Sequence, residues 1–408
     1  MFRKSFLTLM VLTIVVTLIS GCAGQPTEKA VVVEKTVIVE KTVVVEATAP
    51  APKAPIRLGV NLAFSGSLAY VGQGAMNGVT LALEELGGSI AGHPIQFYPA
   101  DNACNPDDAV SAARRLVDVD KVDLILGSGC SSATLAVMPL LPDMGVAQIV
   151  GDSSSEKIYQ GSGVGGNEWN FVYAPGQTIF ASVFSSYMAK EVKSLAIMAY
   201  NDDFGRSGVN MFEPTLKALG VEISTIEYYD RGAPDFRPLL LKIKQSNPEG
   251  LFMISTEGDA LVILRQIREL GLTQKLFGQG TIATPLFVEK SKGEPGLGEG
   301  LLNITWWGIG MDPEFDKAYQ TRWGSAPYPN AALWYYVMRY VVAPAIEEAD
   351  KTGTVDRASL RDALTRISVD SPMGHIQFDD HNQAYPNIAI ITIKDGQSVT
   401  LEKVSSKP

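Results

Sequence analysis

Twice along this chain, short apolar runs of strand length alternate with amphipathic stretches of helical period, a pattern that calls for layered α/β structure. The first series runs IRLGVNLA (56–63), IQFYPAD (95–101), VDLILGSG (122–129) and VAQIVG (146–151). Helical stretches fall between them, over Gln73 to Leu86 with Gly87-Gly88 as a stop, from Pro106 and from Ser131. After a loop near 152–172 the series restarts with a helix from Gly176, LAIMAYND (195–202), a helix from Gly205 and VEISTIEYY (221–229). A helix from Asp235, GLFMIST (250–256), a helix from Asp259 and KLFGQG (275–280) complete it. Apolar strands separated by helices form parallel sheets covered on both faces. Two series therefore predict two doubly wound parallel-sheet lobes. Open sheets of this kind place functional groups at the carboxyl ends of their strands. The loops after 63, 129, 151, 202, 256 and 280 are thus the expected functional rim.

The N-terminus sets the compartment. Arg3 and Lys4 precede the apolar run Phe6 to Ile19, and Leu18-Ile19-Ser20-Gly21-Cys22 follows. That order describes a secretory leader rather than a membrane span. It resembles a bacterial lipoprotein signal, which implies cleavage after residue 21, lipidation of Cys22 and an extracytoplasmic, membrane-anchored protein. Cys104 and Cys130 remain, an even number that an oxidising compartment favours as a disulfide, with two buried thiols as the alternative. Residues 31–48 repeat with a period of six (VVVEKT, VIVEKT, VVVEAT), which fits no heptad. With the proline-rich stretch after it, the segment reads as a tether over 22–55. Strand-like self-association of the valine runs is the sharper alternative.

Net charge is −10, and loss of the leader removes two further cations. An acidic chain without a basic cluster argues against nucleic acid or anionic lipid as a partner. Gly161-x-Gly163-x-x-Gly166 matches a dinucleotide fingerprint in letters but lacks the preceding strand, so it reads as a loop. Ser154-x-x-Lys157 with Lys351-Thr352-Gly353 echoes the penicilloyl-serine enzymes. Ser154, however, falls in a loop after a strand, and Lys351-Thr352-Gly353 reads as a helix C-cap. His93, His375 and His381 have no metal-ligand spacing. No enzyme, metal or cofactor is expected.

The rim residues carry a resemblance. SGSLAYVGQGAMNGVTLALEEL (65–86), DNACNPDDAV (101–110) and GSGCSSATLAVMPLL (127–141) are similar to the opening blocks of the leucine/isoleucine/valine-binding proteins. Those are type I periplasmic binding proteins of ABC transporters. YNDDFGRSG (200–208) and LRQIRELGL (264–272) extend the resemblance into the second series. It implies a Cys104–Cys130 bond and hinge strands near 173–176, 303–307 and 376–380. Lobe 1 would comprise 56–174 with 306–378, and lobe 2 175–305 with 379–408. It also implies a monomer that delivers a small molecule, first of all a branched-chain or other hydrophobic amino acid, to permease subunits. An amide, urea, or aromatic or organic acid is the alternative within the same fold. A sensory ectodomain and a serine acyl enzyme are the readings from other classes.

The resemblance also implies a ligand set. Ser131, at a helix start, would receive a carboxylate, where unpaired N–H groups and the dipole favour an anion. The Asp152 carbonyl and Ser154 hydroxyl would hold the ligand's ammonium and carboxylate, with Ser153 beside them. Phe204 and Tyr70 would supply aromatic walls, Val71 being the alternative to Tyr70 by register. One departure stands out. Relatives place a glutamate after the strand matching KLFGQG to pair with an ammonium, and here that position is Gly280, beside Thr281. Glu257 or Asp152 is then the expected replacement, with Glu257 favoured because relatives use the Asp152 position through its carbonyl. Otherwise the ligand lacks an α-amino group.

Overall fold

The computed structural model describes residues 53–407; the leader, Cys22 and most of the tether lie outside the described residues. The first sheet is built from β1 (Ile56–Leu62), β2 (Ser89–Ile90), β3 (His93–Asp101), β4 (Leu124–Gly127), β5 (Ala147–Val150) and β6 (Asn170–Val172). Its order is β2-β3-β1-β4-β5-β6, parallel except for the short β2. In the second sheet, β7 (Ser194–Tyr200), β8 (Glu222–Tyr229), β9 (Gly250–Ser255), β10 (Lys275–Gly280) and β11 (Leu302–Thr305) are parallel. After the hairpin of β12 (Ser368–Ser371) and β13 (Gly374–Gln377), the strands β14 (Ile388–Lys394) and β15 (Gln397–Val404) join its edge antiparallel. The two parallel runs, β3-β1-β4-β5-β6 and β8-β7-β9-β10-β11, have the same order. Each reverses direction at its second strand, so each lobe has a switch-point crevice, between β1 and β4 and between β7 and β9.

The expected loop at 152–172 is partly ordered structure: it holds the helix Glu156–Gln160 and β6. β6 is only three residues long, too short to show a period. The antiparallel edge of β14 and β15 departs from a purely parallel sheet. The chain passes between sheets three times, over 173–176, from Trp306 onward, and over 378–387. The end of β6, where the first crossing begins, is joined to the third crossing, with Val172 N–H donating to the Asn382 carbonyl and Ala384 N–H to that of Val172.

The helix Ala69–Glu85 packs against Pro329–Val337, where a Cβ at Gly78 would stand 2.1 Å from the Ala331 carbonyl oxygen. Glycine there lets the two backbones touch and brings the start of the second helix to the strand ends of the first sheet.

Cys104 and Cys130 are bonded, with Cα atoms 5.6 Å apart across a separation of 26 residues. The bond fixes the loop after β3 to the loop after β4. A closed loop of this length stabilises by about 3.5 kcal/mol in the chain-entropy account. Reduction should lower the melting temperature by several degrees, on the order of 5 °C. Differential scanning fluorimetry with and without reductant measures this, and two thiols open to alkylation in exported protein would refute the bond.

Candidate functional site

The carboxyl ends of the two sheets face each other across a cleft of about 50 Å³. Five of the six expected rim loops reach it, contributing among others Tyr70, Ser131, Asp152, Phe204 and Thr281, and the expected strand before the sixth loop contributes its last residue, Thr256. Three further lining residues come from outside those loops: Arg231 after β8, Trp306 after β11, and Asn330 on the helix Pro329–Val337. The volume is far below the roughly 300 Å³ of ordinary ligand pockets.

Contacts across the cleft hold it shut. Glu156 N–H donates to Ser207 Oγ at 2.8 Å, and Lys157 Nζ pairs with Asp203 at 2.8 Å. Tyr70 OH lies 3.2 Å from Thr281 Oγ1. Thr281 gives its own proton to Glu257 Oε2 at 2.9 Å, so Tyr70 is the donor in that pair.

Glu257 does not line the cleft. It is wholly buried at the start of the helix Glu257–Glu269, and both carboxylate oxygens are taken, Oε2 by Thr281 and Oε1 by Lys290 Nζ at 2.9 Å. A helix N-terminus suits a carboxylate, and the lysine above completes its neutralisation. Lys290 also stands 5.1 Å over the Tyr70 ring. Glu257 therefore organises Thr281 and Tyr70 from behind instead of presenting a charge to a ligand. Gly280 cannot carry a glutamate either: its φ is +117°, and a Cβ would stand 2.2 Å from the Ser255 carbonyl oxygen.

The remaining expected residues divide. Ser131 lines the cleft at the first position of its helix, its Oγ accepting from Ser155 N–H at 3.2 Å. Ser153 and Ser154 do not line it. Ser153 Oγ pairs with Thr134 Oγ1 at 2.8 Å, and Ser154 Oγ accepts from Gln177 Nε2 at 3.1 Å. Ser154 and Lys157 thus bond to different partners.

Four side-chain atoms of lining residues are buried without a partner among the described residues: Arg231 Nη1, Trp306 Nε1, Asp152 Oδ1 and Asn330 Oδ1. Buried polar atoms are ordinarily paired, so four such atoms on residues that line one small cavity single it out. Two donate and two accept. Arg231 is held by Asp202, whose Oδ2 accepts from Nε at 2.7 Å while Oδ1 caps the helix Asp203–Ala218. Its guanidinium lies 3.6 Å over the Tyr200 ring. Opposite, Asp152 Oδ2 accepts from Asn330 Nδ2 at 3.0 Å and Trp334 Nε1 at 3.3 Å, two residues one turn apart on one helix. Burial nevertheless pushes the Asp152 carboxyl up to about 7, against the lowering effect of those two hydrogen bonds. Among the described residues no cluster could hold a metal ion, and no helix is long and apolar enough to cross a membrane.

Residues 55–397 match the family model for periplasmic binding proteins. An amino acid binding protein of Pseudomonas aeruginosa is 27% identical over 333 residues, covering 80% of this chain and 86% of its own length. Among solved structures, an ABC-transporter solute-binding protein of Rhodopseudomonas palustris, in complex with 3,4-dihydroxybenzoic acid, superposes with TM-score 0.78. It is 23% identical, over 87% of this chain and 98% of that one. The branched-chain amino acid transporter substrate-binding protein LivJ of Streptococcus pneumoniae, in complex with isoleucine, superposes with TM-score 0.75. It is 22% identical, over 87% of this chain and all of that one (100%).

Proposed function

This chain belongs to the periplasmic binding protein family, and we propose that it captures a small organic carboxylate between two closing lobes for an ABC importer. The observation that carries the reading is Arg231, which lines the closed cleft and whose Nη1, a cationic donor, is buried without a partner among the described residues. A carboxylate there gains a charge-assisted hydrogen bond from a guanidinium already oriented by Asp202 and Tyr200. Tyr70, Phe204 and Trp306 supply an aromatic enclosure for the rest of the molecule. The lobes of this reading are 56–174 with 306–378 and 175–305 with 379–408. Cys22 would anchor the protein outside the cytoplasm, and the tether would let it reach the permease.

A second reading, an α-amino acid, is favoured by the unpartnered acceptors Asp152 Oδ1 and Asn330 Oδ1, which suit an ammonium. The amino acid binding relative supports it as well. Calorimetry with leucine, its des-amino analogue 4-methylpentanoate, benzoate and benzamide separates the two. The carboxylate reading expects 4-methylpentanoate or benzoate to bind at least as tightly as leucine, and benzamide more weakly than benzoate. Leucine more than about tenfold tighter than 4-methylpentanoate gives the site to amino acids. If no carboxylate binds, both readings fail.

A further inference from the structure

A second cavity, of about 290 Å³, shares no lining residue with the cleft. Its walls come from the helix Glu156–Gln160 in the first lobe, the start of the helix Gln177–Glu191 in the second, and the third crossing between them. Tyr159, Tyr385 and Ile179 give it an apolar, aromatic lining, and the Glu156 and Asp379 carboxylates stand beside them. Among the described residues no lysine or arginine lines it.

The hydrogen-bond inventory of this lining is one-sided. Tyr159 donates its hydroxyl proton to the Ala174 carbonyl at 2.6 Å, and Tyr385 donates to Asp379 Oδ2 at 2.8 Å. Asp379 Oδ1 accepts from the His381 and Gln383 N–H groups, and Glu156 Oε2 accepts from Thr178 N–H at 3.2 Å. Gln383, only 3% exposed, donates Nε2 to the Val172 and Ala174 carbonyls, both at 3.3 Å. Flipping that amide would set oxygen against carbonyl oxygens, so its orientation is fixed. Gln383 Oε1 is left buried with no partner among the described residues. Burial, then the hydrogen bond to Asp379 and the charges of Asp379 and Glu156, push the Tyr385 phenol up to about 12. The buried unused group of this lining is an acceptor, Gln383 Oε1, beside two carboxylates and aromatic walls, while the exposed Gln160 amide and His381 ring complete the rim.

The geometry points to a binding site for an organic ammonium, a primary amine carrying an apolar or aromatic body, at the junction of the two lobes. Its N–H groups would donate to Gln383 Oε1 and the Glu156 carboxylate, with its body against Tyr159 and Tyr385, whose ring faces attract a cation. An occupant would bridge both lobes and a crossing segment.

The test uses benzylammonium on the purified protein at about pH 8, well below the range in which a primary amine loses its charge. Isothermal calorimetry or ligand-observed NMR should show saturable binding with a Kd of about 1 mM or tighter. Benzyl alcohol, of the same shape without the charge, should bind at least about tenfold more weakly. Glu156→Gln should weaken benzylammonium by about tenfold or more, and so should Asp379→Asn. Asp379 also orders its own turn, so Glu156→Gln is the decisive variant if Asp379→Asn folds poorly. No saturation up to about 10 mM, equal binding of the alcohol, or an unchanged Kd in Glu156→Gln overturns the proposal.

Discussion

Arg231→Met should cost carboxylate solutes about thirty- to several-thousand-fold in affinity, the largest single effect expected in the cleft. The range follows from leaving a carboxylate uncompensated in an enclosed site, a penalty of roughly 2–5 kcal/mol. Arg231→Lys should recover only part of the loss, because an ammonium cannot reproduce a planar fork stacked 3.6 Å over Tyr200 while bonded to Asp202. Benzamide binding, which needs no countercharge, should change little. Calorimetry on both variants reads the effect. A melting curve shows whether freeing Asp202, which also caps the helix Asp203–Ala218, has cost stability. Unchanged benzoate affinity in a folded Arg231→Met protein would move the carboxylate seat elsewhere, first to Ser131.

The cleft was legible in the sequence where local pattern determines it. Strand ends followed by helices located the loops that carry Tyr70, Ser131, Asp152, Phe204 and Thr281, because the carboxyl edge of a parallel sheet is fixed by the alternation itself, whereas the choice of residues within those loops came from the family resemblance. Arg231 follows a strand, VEISTIEYY (221–229), that was equally readable, and adding the loop after 229 to the rim would have found it. Trp306 and Asn330 carry no such signal. They reach the site through a crossing segment and through the close packing of Pro329–Val337 on Ala69–Glu85, which is tertiary information. The same holds for Glu257: its counterion Lys290 lies 33 residues away, and nothing local shows that the carboxylate is already neutralised. Gly280 is the converse case. Its departure from the family glutamate was visible in the sequence, while the reason, a backbone that admits only glycine, was not.

Asp152 should make solute binding proton-linked, in a direction that identifies the solute. Its carboxyl sits at about 7 in the closed cleft, raised by burial, whereas a solvated aspartate titrates near 3.9. A group raised in this way stabilises the folded protein fully below the solvated value and loses that contribution as pH rises through about 7. An anionic solute in the same cavity raises Asp152 further, so binding near pH 7 takes up a proton. Its affinity should then fall about tenfold between pH 7 and about pH 8.5. An ammonium solute lowers the Asp152 pKa and releases a proton, and its affinity should rise as pH climbs from about 5.5 to 7. Calorimetry near pH 7 in two buffers of different ionisation heat counts the proton and gives its sign. Asp152→Asn keeps the shape and removes the titration, so its pH profile should be flat. A slope that persists in Asp152→Asn would assign the linkage to another group. A wild-type profile that is flat from the start would place the solute out of reach of Asp152.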